Sequence, residues 1–200
     1  MRRRTLDALL TIGGGIVTAL LLVAGGLLLA AGNFANNTVS QQLADQRITM
    51  PSGKAIEDPQ IKPYLEQYAG QPMTTGAQAQ AYADHYIKVH MDAASKGKTY
   101  GEVSAAYTAL TKDPNADPAA VKAAADLRQT MFMGDSLRGM LLNAYAFGTL
   151  GSIAIWAAIV SFIGAAAMLA LTLLGWRHLR HVPAEQEVRL GGLTPAPALG

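Results

Sequence analysis

Two stretches of the chain contain no Asp, Glu, Lys or Arg, residues 8 to 31 and residues 139 to 176. Between them, apolar positions recur at the three-and-four spacing of helices, and β-branched runs are absent. A helix rises about 1.5 Å per residue and the hydrocarbon core is about 30 Å thick, so about 20 apolar residues cross it. Both stretches exceed that length. The second, at about 57 Å of helix, is nearly twice what the bilayer needs, so part of it must lie outside the hydrocarbon or be covered by protein. The pattern predicts an all-α membrane protein with two transmembrane helices, over 8–32 and 144–176. A helical extracytoplasmic domain (33–143) lies between them, and the second span is continuous with a long stalk helix. Residues 1–7 and 177–200 are left as short tails. The last of these, with Pro195 and Pro197 among small residues, is expected to be disordered.

Within 33–143 the helices are set off by Pro and Gly. The first span is expected to continue to about Arg47, until Met50, Pro51, Ser52 and Gly53 interrupt it. A short helix follows over Ile61 to Ala69, stopped by Gly70 before Pro72. From Thr75 to Ser95 the residues Ala79, Tyr82, Ala83, Tyr86, Val89 and Ala93 make one buried stripe, and Gly97 ends that helix. Thr99 with Glu102 has the spacing of a capping box. Asp117 and Pro118 form an N-cap and first-turn pair. The helix they open is expected to run unbroken into the second span, with Leu127, Met131, Gly134, Leu137 and Leu141 as a near-heptad seam.

Charge orients these elements. Arg2, Arg3 and Arg4 precede the first apolar run, and Arg177 and Arg180 follow the second, so positive residues place both termini in the cytoplasm of a multi-pass plasma-membrane protein. Residues 33–143 carry ten Lys and Arg against eleven Asp and Glu, close to neutral. A cleaved signal peptide is the competing reading of the first run, with Ala30, Ala31 and Gly32 as a cleavage site, but 24 residues exceeds the usual apolar core of such peptides. A formal net charge of +2 gives nucleic acid no footing. The chain has no cysteine, which removes disulfides, thiolate metal sites and thiol catalysis.

The remaining candidates are few. His85 and His90 stand five apart, about 140 degrees around a helix, which is poor spacing for a shared metal ion. Asp113, Asn115 and Asp117 alternate like a calcium loop but lack its later glycine and glutamate. No serine has a recognisable acid, base and oxyanion loop. No catalytic residue, cofactor or metal is therefore assigned, and a non-enzymatic protein is expected. Three groups of residues carry other expectations. Gly148, Ser152, Ala157, Ser161 and Ala165 form a small-residue face for helix packing in the membrane. Met131, Met133, Asp135 and Arg138 form an edge where a partner membrane protein could dock, the methionines as adaptable surface. Tyr82, Tyr86 and Tyr107 could line a pocket for a small apolar or lipid-like ligand.

The run Met131 to Gly139, the stretch from Thr74 to Glu102, and Leu127 to Tyr145 with its Leu-Arg-Gly-Met-Leu-Leu-Asn-Ala-Tyr passage resemble uncharacterised two-span membrane proteins of high-GC Gram-positive bacteria. The resemblance covers most of the chain. It implies the same topology and an envelope location, and no activity or cofactor. The expected function is a self-associating scaffold or an accessory subunit, with the lipid bilayer and either itself or another membrane protein as partners. The alternative is a lipid or small-molecule binding module built on the cap.

Overall fold

The computed structural model describes residues 3–181, so most of the tail expected to be disordered falls outside the described residues, while at its start, 177–179, the chain is instead still helical. The elements are α1 (Arg3–Asp45), α2 (Lys62–Leu65), α3 (Gly76–Tyr82), α4 (Lys88–Ser95), α5 (Tyr100–Lys112) and α6 (Pro118–Leu179). Short 3₁₀ turns lie at Gly53–Ile56 and Glu66–Tyr68, and a π turn at Ala83–Ile87 joins α3 to α4. No strand occurs among the described residues, and one isolated bridge pairs Thr49 with Pro72. The described residues divide into two compact units, one from 3–30 with 154–181, the other from Ala31–Ile153.

The first unit is a pair of antiparallel helices. Thr11 lies against Gly175, Gly14 against Thr172, Leu21 against Gly164 and Gly25 against Phe162, so each step forward on α1 is matched by a step back on α6. Glycines permit this closeness: a Cβ at Gly25 would come within 2.9 Å of the Phe162 ring. Ala158 and Ala165 are fully buried in the same seam, and Ser161 donates its hydroxyl proton to the Leu21 carbonyl at 2.8 Å. Thr18, also buried, satisfies its hydroxyl on Gly14 of its own helix. Large apolar side chains such as Leu10, Leu20, Leu27, Val160, Ile163 and Leu171 point outward. Both helices are long and apolar enough to cross a membrane, with a mean hydropathy of 2.3 and only 11% of each most apolar window buried. The core helix of a soluble protein would instead be mostly buried. The share of α6 in this unit starts at Ala154, and residues 144–153 pack in the other unit.

The second unit is built around Val39 and Leu43 of α1 and Leu141 of α6, covered by Met50, Ile56, Ile61, Leu65, Met73, Ala79 and Ala83. The segment after α1 is clasped onto itself. Met50 N–H donates to Gln71 O at 2.8 Å, Gly70 N–H to Met50 O, and Met73 N–H to Ile48 O. Gly70, with φ at 71°, makes the turn that a Cβ would strain. A second cluster joins Met91 of α4, Val103 of α5 and Met131 of α6. Caps fix these short helices at their starts. Thr99 and Glu102 form the expected capping box, and Thr75 with Gln78 forms another. Asp117 accepts the Ala119 N–H where α6 opens.

Two stripes differ from expectation. Ala93 is exposed, while Met91 and Ser95 are buried. The π turn at 83–87 is the cause, because its wider turn shifts every later residue around the axis. On α6, Leu137 is 47% exposed whereas Met131, Gly134 and Leu141 are buried. The strict alternation runs through Leu127, Met131, Gly134, Arg138 and Leu141, and a charged residue occupying a seam slot conceals it.

Candidate functional site

Arg138 lies in that slot because its charge is answered there. Its Nε donates to the Ala83 carbonyl at 3.0 Å, and its Nη2 donates to Asp84 Oδ1 at 3.2 Å. Asp135, one turn back, is a looser partner at 3.7 Å. Of the expected docking edge, therefore, Arg138 and the buried Met131 are spent inside the unit. Met133 and Asp135 remain exposed.

Met133 belongs to a different stripe. Met133, Leu137, Met140, Ala144 and Phe147 follow one another at spacings of four, three, four and three along α6. The four large ones are each 47–65% exposed. Phe34 of α1 is also exposed, and together with Met140, Ala144 and Phe147 it borders a groove of about 670 Å³. No charged side chain lines this groove; Thr38, Gln42, Gln46 and Asn143 supply its polar atoms.

A second cavity, of about 530 Å³, is also confined to this unit. Asn36, Asn37, Val39 and Ser40 of α1 form one wall and Tyr145, Gly148, Thr149 and Ser152 of α6 the facing one. The segment Thr74–Ala77 closes it. The walls meet where Gly76 presses on α6, since a Cβ there would lie 3.0 Å from Tyr145 Cα. Asn36 lies along the α6 backbone for a similar reason: a Cβ at Gly151 would come within 2.6 Å of its Oδ1.

The tyrosines expected to line a pocket do not come together in either space. Tyr82 and Tyr86 stack at 5.1 Å and pack on the first core cluster. Tyr107 sits under the Arg128 guanidinium at 4.4 Å. Burial, with a smaller push from Tyr86, raises the Tyr82 pKa above its ordinary value, as expected of a half-buried phenol. His85 stacks on Tyr64 at 3.4 Å, while His90 Nδ1 lies 2.7 Å from the Tyr86 carbonyl, so the two imidazoles have separate neighbours.

The small-residue face is divided between the units. Gly148 meets Gly76 and Val39 in the second unit. Ser152 is exposed, its hydroxyl bonded to Gly148 of its own helix. Ser161 and Ala165 meet α1 of the same chain, as does Ala158, while Ala157 is only half-buried. The repeat of a nearly antiparallel pair is three-four rather than four-four, which selects Ala158 over Ala157.

Sequence reasoning missed the second cavity. In the sequence Asn36, Asn37 and Thr38 match the Asn-x-Thr glycosylation triplet, and Ser40 and Thr149 are ordinary polar positions. Their signal was the absence of charge: from Asn33 to Ser40, and from Gly139 to Ser152, polar residues are present but none is ionised. No known protein family, curated protein or solved structure matches the chain.

Proposed function

We propose that this is a non-enzymatic membrane protein that acts as a self-associating scaffold, its second unit held outside the bilayer and joined to another copy through α6. The observation that carries the reading is the stripe of exposed Met133, Leu137, Met140 and Phe147, interrupted by Ala144, which is half-buried against the first core cluster. Its four-three alternation is the spacing at which two helices interlock. Copies inserted by the same charge rule hold their α6 helices parallel, so identical stripes face one another in register. The positions flanking the stripe on its two sides, Gly134 and Leu141, Ser136 and Asn143, are uncharged, so like residues from two copies do not repel. A seam already filled from within the chain, such as Met131 with Val103, has no such role.

The absence of cysteine makes the test direct. Met140→Cys in the full chain, oxidised in native membranes, should give a covalent dimer, and Asp135→Cys, exposed on the face opposite the stripe, should not. Leu137→Glu should abolish the larger species in native mass spectra of extracted protein. Monomers throughout, or equal cross-linking at both cysteines, would refute self-association. Capture of a single copy by a larger foreign complex would instead favour an accessory subunit.

A further inference from the structure

The cavity between Asn36 and Thr149 has no part in the stripe, and it has an unusual chemistry for a space of its size. Its walls hold two carboxamides, several hydroxyls and one phenol, and no carboxylate, ammonium or guanidinium. Some of these groups are committed: Ser152 bonds Gly148, and Thr75 accepts the Gln78 N–H as an N-cap. The side chains of Asn36, Asn37, Ser40, Tyr145 and Thr149 form no hydrogen bond to other described residues. Five polar residues thus border one space with donors and acceptors to offer, Asn36, Ser40 and Tyr145 half-buried and Asn37 and Thr149 exposed to water.

Each class of occupant can be weighed on that inventory. An apolar molecule would strip water from these groups and return nothing, at a cost of about 1–3 kcal/mol for each group left unpaired. An ion would find no opposite charge in the walls. A polyol pairs both ways, because each of its hydroxyls donates and accepts, as carboxamides and hydroxyls do. Tyr145 is the one aromatic residue bordering the space, a side chain of the kind that packs against the C–H side of a sugar. The volume, about 530 Å³, is within the usual range of small-ligand sites. Gly76, Gly148 and Gly151 keep the walls close enough for several groups to reach one ligand.

We infer that this cavity binds a neutral glycosyl group. Two sources share that chemistry, a free sugar and the headgroup of a membrane glycolipid. The full chain is reconstituted in phosphatidylcholine nanodiscs, since maltoside detergents would themselves compete. Maltose is then followed by saturation-transfer NMR, and diglucosyl diacylglycerol by its retention in native mass spectra. Binding of both assigns a sugar site open to solvent; retention of the glycolipid alone assigns the headgroup. In either case Asn36→Ala with Thr149→Val should weaken binding by about tenfold or more, two hydrogen bonds being lost. Asn143→Ala, in the apolar groove, should leave it unchanged. Circular dichroism of each variant separates lost binding from lost folding; should the double variant unfold, Asn37→Ala alone serves. No binding of either probe, equal binding by folded wall variants, or preference for phosphatidylglycerol over the glycolipid would overturn the inference.

Discussion

Arg138 shows what one charged side chain does inside an apolar seam. It is 21% exposed, and Asp84 beside it 32%, so the pair is partly shielded from water without being dry. The Ala83 carbonyl that it also binds opens the π turn. The guanidinium therefore ties α6 to the place where the neighbouring helix widens, through two donors in a fixed fork. Arg138→Met keeps the bulk but leaves a half-buried carboxylate and a carbonyl without their donor. We expect a loss of about 2 kcal/mol, within the range for bonds to charged groups, seen as a lower denaturation midpoint of the full chain in detergent. Arg138→Lys should recover only part, because an ammonium does not reproduce the fork. An unchanged midpoint for Arg138→Met would show that the pair adds nothing to stability.

Among the elements, the short helices depend on their first turns more than on length, since helices of 7 to 13 residues are marginal by themselves. In α5 the Thr99 hydroxyl accepts the Glu102 N–H, and the Glu102 carboxylate accepts both the Thr99 N–H at 2.8 Å and its hydroxyl proton at 2.9 Å. The backbone bond from Thr99 is the larger cause holding the Glu102 pKa below its ordinary value of about 4.5, with the Thr99 hydroxyl next. The carboxylate bonds thus contribute fully above that ordinary value and are lost as pH falls through the depressed one. Thr99→Ala should lower stability by about 1 kcal/mol at neutral pH. Glu102→Gln should flatten the acid limb of the unfolding curve, which titration followed by circular dichroism would reveal; an identical acid limb in wild type and variant would refute the linkage. This cap was legible in the sequence, because Thr and Glu three apart before an apolar run have one physical use. The π turn was not legible, because nothing in Ala83 to Ile87 departs from ordinary helix composition. The seam of α6 was misread for the opposite reason: Arg138 looked like surface, and its partners in the adjoining helix stand more than 50 residues away in sequence.

At the scale of the whole molecule, the two long apolar runs were plain from the missing charges, whereas the partner of each run was not. A small-residue face fits α1 of the same chain as well as it fits a second copy, and hydropathy carries no information on which. The structure pairs the runs within one chain, with Gly14 and Gly175 giving room to Thr172 and Thr11. With that pairing the Met133–Phe147 stripe is the surface we propose for association, so the two must be distinguished by experiment. A Cβ at Gly175 would lie 3.8 Å from the Thr11 Cβ, within the usual span of a disulfide. In a chain without other cysteines, Thr11→Cys with Gly175→Cys should close an intramolecular bridge on oxidation in membranes, migrating as a compact monomer. Moving the second cysteine half a turn away, to Leu173, should prevent closure, because that side chain points outward. Covalent dimers from the Thr11 and Gly175 pair, with little bridged monomer, would mean that α1 pairs with α6 of a neighbouring copy, and would move the association surface from the exposed stripe into the membrane seam.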